Sequence, residues 1–153
     1  MAQEKKGNPF VDEVYNMKLE IKDILKDLDD HSLEELLNED KLPEYAANIA
    51  QSLHKSGISP TQLRRFYTYV KAIDRKNANK KKKDSITDEA KLKFLLPKLA
   101  GSAKKNEEGI KSLHGIFEKC LRGKNKICDV GGLRLLIEFF EAILDYHKTY
   151  EKN

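Results

Sequence analysis

The sequence predicts an all-α protein: a single helical domain over 1–153, folded as a bundle of five to seven helices with a long helix at the C-terminus. Three observations lead there. No segment alternates apolar and polar residues for long enough to make a useful strand. Proline, glycine and capping residues fall at helix spacing, with apolar residues recurring every three or four positions between them. Charged residues make up 35% of the chain, which favours amphipathic helices with solvated faces over a thick core.

Asn8-Pro9 opens the first helix, in which Phe10, Val14, Met17, Ile21, Ile24 and Leu28 form one continuous apolar stripe. Ser32 and Glu35 make a capping box that starts a short second helix. Pro43 opens a third, with Ala46, Ile49, Ala50 and Leu53 inward and Gly57 as its stop. The fourth has the strongest start: Ser59 at the N-cap, Pro60 at the first helical position, Gln62 completing a box, and Ile58 with Leu63 as a staple. Its inner face is Leu63, Phe66, Tyr67, Val70 and Ile73. Residues 77–86 then read as a lysine-rich mobile loop.

Thr87, Asp88 and Glu89 start a fifth helix with Leu92, Leu95, Leu96 and Leu99 inward and a kink at Pro97, whose ring removes a backbone donor. Asn106 caps a sixth, through Ile110, Leu113, Phe117, Cys120 and Leu121 to Gly123. The last runs from Asp129 to about Tyr150. Its wide apolar band includes Leu133, Leu136, Ile137, Phe140, Ile143, Leu144 and His147, flanked by Leu135, Phe139 and Tyr146. Such a band suits the central helix of a bundle or a subunit interface.

The net charge of +4 hides an asymmetry: residues 1–55 hold seven Lys against thirteen acids, whereas 56–153 hold 22 Lys or Arg against twelve. A basic surface for a polyanion is the expectation for the second part. It is densest over Ser59–Lys83, where nine Lys or Arg meet a single acid, Asp74. On the fourth helix Arg64, Thr68, Lys71 and Arg75 fall on one stripe, with Arg65, Tyr69 and Lys76 beside it. At 1.5 Å per residue the strip runs ~16 Å, a few nucleotides of backbone. Tyr69 is placed to stack on a base or sugar. The alternative for any such stripe is an ordinary solvated face. Lys80, Lys81 and the two lysines after them suit phosphate contact without sequence preference. Lys91, Lys98 and Lys105, with Lys104 alongside, repeat the pattern more weakly, and Arg122, Lys124 and Lys126 form a third cluster.

Enzyme classes find no support. His31, His54, His114 and His147 are scattered without metal spacing, no nucleophile stands with a base, and Gly131-Gly132 lacks a preceding strand. No metal or cofactor is expected. Cys120 and Cys128 make no disulfide framework and read as small core residues. MAQEKKGNPF has no apolar leader, and no run approaches the ~20 residues that span a bilayer, so a cytoplasmic protein without a membrane partner is expected.

Three segments, ISPTQLRRFYTYV, KLKFLLPKLAGSAKK and FFEAILDYHK, in that order and spacing, resemble the small subunit of the type III-A (Csm) CRISPR interference complex. Gln62, Leu63, Arg64, Arg65, Phe66 and Tyr67 match its first motif, Pro97, Lys98, Leu99 and Ala100 its second, and Glu141, Ala142, Tyr146 and His147 its last. Gly101 departs from the aromatic that commonly follows the alanine, and the acidic first helix lies outside the resemblance. The resemblance implies a non-catalytic RNA-binding subunit in antiviral defence. Its partners would be CRISPR RNA, target RNA, the backbone and large subunits of the complex, and copies of itself stacked head to tail. It puts Arg64 and Arg65 first among residues meeting RNA; Lys71, Arg75 and Lys76 rest on the helical stripe alone, and Lys98 on both. Two readings compete. One is a helix-turn-helix DNA regulator with Gly57 in the turn, although the arginine-poor start of its reader helix stands where base-reading side chains are expected. The other is a partner-binding module that docks a neighbour through the last helix.

Overall fold

The computed structural model describes residues 7–104 and 106–151. Among them are eight helical segments and no strand: α1 (Ile21–Asp30), α2 (Leu33–Asn38), α3 (Leu42–Lys55), α4 (Pro60–Lys76), α5 (Glu89–Lys93), α6 (Leu95–Gly101), α7 (Glu107–Arg122) and α8 (Val130–Lys148). Only Phe94 separates α5 from α6, so the two are halves of one broken helix and the bundle has seven helices in the expected sense. Proline at 97 has no N–H for the Lys93 carbonyl, and the break falls at Phe94, one turn before the ring.

α8 is the centre. Leu133, Leu136, Phe140 and Ile143 are fully buried and Ile137, Phe139 and Leu144 nearly so, because α3 and α4 pack on it along most of their length and α2 covers a further part. The wide apolar band is therefore satisfied within the chain. α7 lies against α1 and α6 and presents Phe117, whose ring centre is 4.9 Å from that of Phe140. Each such fully buried ring or leucine contributes about 1.5–3 kcal/mol relative to exposure.

The turn between α3 and α4 fixes how α4 is presented. Gly57 has φ +84°, and its N–H donates to the His54 carbonyl while the Ile58 N–H reaches back to Leu53, so two of the orphan carbonyls at the end of α3 are satisfied. Ile58 and Leu63 are then both buried as the staple requires. Across from this turn α7 passes so closely that a Cβ at Gly109 would collide with Ser56 and Ile58. Ser59 accepts the Gln62 N–H (3.1 Å), the first half of the expected box. Gln62 sends its side-chain oxygen elsewhere, accepting from Asn106 at the start of α7 (3.0 Å). The Ser32–Glu35 box forms in both directions.

Two expectations need correcting. The first helix does not begin at Asn8-Pro9. Residues 9–15 make two successive turns closed on the Asn8 and Val11 carbonyls, Phe10 and Val14 are 65% and 64% exposed, and the helix starts at Ile21. Asparagines divert the backbone: Asn8 Oδ1 accepts from the Phe10 N–H and Asn16 Oδ1 from that of Lys18, while the Asn16 N–H donates to Glu44. Val11 is buried in place of Phe10, and the Tyr15 hydroxyl meets that of Tyr146 at 2.7 Å. Secondly, Cys120 is buried, which pushes its thiol up to about 12, but Cys128 is exposed and is no core residue.

Candidate nucleic-acid interface

α4 is anchored by Leu63, Phe66, Val70 and Ile73 on its inner face. Tyr67 adds a polar fastening: its hydroxyl donates to Glu141 on α8 (2.5 Å), and burial together with that carboxylate pushes the phenol up to about 12. The outer face carries the predicted residues. Arg64, Arg65 and Arg75 are exposed, and none makes an ion pair among the described residues. Lys71 is half-buried and tied to Asp74 (3.1 Å), one turn on, and Lys76 is tied to Asp88 (2.7 Å) at the head of α5. The predicted strip thus keeps its arginines open and has two of its lysines neutralised.

Lys80 and Lys81 lie on the turns after α4. The Lys80 ammonium donates to the Ser85 carbonyl (2.9 Å), and Lys81 is exposed. The backbone here is held from several sides. Arg134 on α8 donates to the carbonyls of Asn77, Ala78 and Lys80, the last at 2.6 Å, and the Gly131 N–H donates to that of Lys82 (2.8 Å). Asn77, fully buried, closes the loop by accepting the Thr87 N–H (2.7 Å).

Between α4 and the corner joining α6 to α7 lies a cleft of about 800 Å3. Arg65, Thr68 and Tyr69 line its α4 side; Lys98, Ser102 and Lys104 line the other, and no lining residue is a carboxylate. Gly101 is at its rim, where a Cβ would meet nothing within 4 Å, so that position leaves the cleft open. Tyr69 is less available than its stripe suggests. Its hydroxyl donates to the Lys91 carbonyl (2.5 Å), and the Lys98 ammonium sits over its ring, 5.0 Å from the centre. That contact nonetheless holds Lys98 across from Arg65.

Other groups contribute less. Arg122, Lys124 and Lys126 are exposed but lie near acids of α1: Asn125 between them donates to the Asp29 carbonyl, and Lys124 lies close enough to Asp30 to help hold its carboxyl down. Lys105 lies outside the described residues. No group of three or more His, Cys, Asp or Glu able to hold a metal occurs among the described residues, and no described helix is long and apolar enough to cross a membrane. His147 is buried on α8, edge-on to His54 at 6.2 Å, with no partner for Nε2 among the described residues.

Two residues of this surface escaped sequence reasoning. Arg134 was concealed by its place in an apolar helix. Phe94, 59% exposed, was concealed inside a leucine-rich segment, although it falls outside the Leu92, Leu95, Leu96 and Leu99 face. The family model described as Csm2 Type III-A matches residues 37–153, which takes in α3 to α8 and all of these cations. No curated protein and no solved structure matches the chain.

Proposed function

Because the chain belongs to the Csm2 type III-A family, we propose that it is a non-catalytic, RNA-binding structural subunit of a type III-A CRISPR effector complex. In this reading copies stack along the guide RNA–target RNA duplex in antiviral defence, beside the backbone and large subunits, in the cytoplasm. One observation carries the RNA contact: among the described residues Arg64 and Arg65 stand exposed without ion pairs on α4, and Arg65 lines with Lys98 and Lys104 a cleft that has no carboxylate among its described lining residues. Guanidinium and ammonium groups left open in this way attract phosphates and release counterions on contact. They read no bases, and base pairing within the duplex supplies the specificity. A helix-turn-helix reading is disfavoured by Gln62, whose side chain at the head of α4 is engaged with Asn106 of α7.

The test is the double substitution Arg64→Ala/Arg65→Ala, with affinity measured by fluorescence anisotropy on several guide–target duplexes of unrelated sequence. Binding is expected to weaken by a similar factor for all of them, and the dependence of log K on log salt to flatten by about one per phosphate contact removed. A loss confined to one sequence, or no loss at all, contradicts the reading.

A further inference from the structure

Phe94 is the exposed aromatic at the break between α5 and α6. Its N–H closes the end of α5 on Lys91, its carbonyl accepts from Lys98, and its ring is left outside while Leu92, Leu95, Leu96 and Leu99 take the core. A lone exposed apolar side chain carries no message by itself. Its setting does. Phe94 lines a shallow groove of about 530 Å3 with Tyr69, Pro97, Lys91 and Lys98: two aromatic residues, a proline and two lysines, with no carboxylate among the described lining residues. The groove is braced, since Tyr69 holds the Lys91 carbonyl by its hydroxyl and Lys98 by its ring. Tyr69 and Lys98 also line the larger cleft, so the cationic surface continues from Arg65 to Phe94 without interruption.

We infer that this groove seats an unpaired nucleobase of an RNA strand, stacked on Phe94, with the flanking phosphates on Lys91 and Lys98. The inference rests on the RNA-binding reading above and extends it. A flat π face within a cationic rim matches a ligand that carries both rings and negative charge. Bases inside a duplex are already stacked on each other, so the ligand here is a nucleotide outside the paired region. Negative charge along the strand is what the continuous run of Arg65, Lys104, Lys98 and Lys91 complements.

The experiment uses the full-length chain and two probes: a single-stranded RNA carrying one 2-aminopurine, and a fully paired RNA duplex. The wild type is expected to quench the 2-aminopurine on binding. Phe94→Ala should lose the quenching and bind the single strand about tenfold more weakly, with an unchanged salt slope because no cation is removed. Phe94→Trp should retain both properties, Phe94→Leu should behave like alanine, and duplex affinity should stay within about twofold throughout. Circular dichroism establishes that the exposed position leaves the fold intact. If the wild type binds RNA but Phe94→Ala neither weakens single-strand binding nor abolishes quenching, the groove is not a base site and the RNA-binding reading stands without it. If Phe94→Ala instead lowers self-association in sedimentation without RNA, a second copy is the occupant and the inference is overturned. If the wild type binds neither RNA, both fall together.

Discussion

Phe10 and Phe94 are both large, exposed rings, at 65% and 59%, but they lie in opposite electrostatic settings. Phe10 is two residues before Asp12 and three before Glu13, ahead of helices whose lysines are matched to acids. Lys26 meets Asp30 (3.1 Å), Lys22 meets Glu20 (3.7 Å), and Lys41 meets Glu39 (3.3 Å). Phe94 stands among Lys91 and Lys98, beside a helix whose arginines have no such partners among the described residues. The difference teaches that the number of cations in a segment says little. What makes a surface attractive to a polyanion is positive charge left unneutralised at exposed positions, and the α4–α6 wall gathers Arg65, Lys98 and Lys104 around one cleft. The family match begins at residue 37 and leaves out Phe10 and the Lys22–Glu20 and Lys26–Asp30 pairs.

The most forceful way to break this contrast is charge reversal on both sides of it. Arg65→Glu/Lys98→Glu, placed across the cleft, should reduce affinity for a guide–target duplex on the order of 100-fold at 0.1 M salt, since two phosphate contacts become repulsions. Lys22→Glu/Lys26→Glu changes the net charge by the same amount but should move affinity by less than about twofold, because the local acids already cancel those lysines. Equal losses from the two pairs, measured by anisotropy titration, would mean that bulk charge governs binding and the wall has no privilege.

Much of this was legible in the chain, and what was not has local causes. Caps and apolar spacing placed α2, α3, α4, α7 and α8 because Ser32, Ser59, Asp129 and Gly57 act within one turn of the backbone they serve. The first stripe misled because Asn8 and Asn16 offer the backbone side-chain bonds that compete with a helix, and a 3–4 spacing of apolar residues does not register them. On the wall, Arg64 and Arg65 could be read from their place opposite Leu63 and Phe66. The Lys71–Asp74 pair is also visible at helix spacing. Neutralisation of Lys76 by Asp88 is not, since the two stand twelve positions apart with a loop between them. Nor is the cleft itself, which exists only because α6 and α7 turn a corner opposite α4.

Acidification separates the two regions by another route. Burial pushes His147 below its ordinary value near 6.5, and the neighbouring His54 pushes the same way, while the Ile58 carbonyl and Glu151 oppose. The folded chain therefore keeps His147 neutral at a pH where the unfolded chain has taken a proton. Stability is full above about pH 6.5 and declines as pH falls from there toward the lowered folded value, by at most about 1.4 kcal/mol per unit for a single proton. Urea melts between pH 7.5 and 5.5 should show this decline, and His147→Gln should flatten it. RNA affinity at a pH where the protein stays folded should not follow, because no histidine is among the described residues lining the cleft. An affinity that rises steeply over the same range would instead implicate a histidine in the RNA contact.

The gentlest probe sharpens the comparison by giving the wall back the charge it has lost. Asp88 sits at φ +64°, a left-handed conformation that asparagine tolerates well, so Asp88→Asn releases Lys76 without straining the backbone. Asp74→Asn releases Lys71 in the same way. The Lys76–Asp88 pair is open to solvent, so melting should shift little on its loss, and more on loss of the half-buried Lys71–Asp74 pair. Each freed ammonium, now facing solvent on α4 beside the arginines, should strengthen RNA binding by about two- to threefold and steepen the salt dependence by up to about one. The matched change in the other region, Asp30→Asn, frees Lys26 among further acids and should leave binding where it was. If freeing Lys71 and Lys76 has no more effect than freeing Lys26, the RNA strand does not pass along the Arg64–Arg75 side of α4. The contact would then be confined to the cleft that Arg65 shares with Lys98 and Lys104.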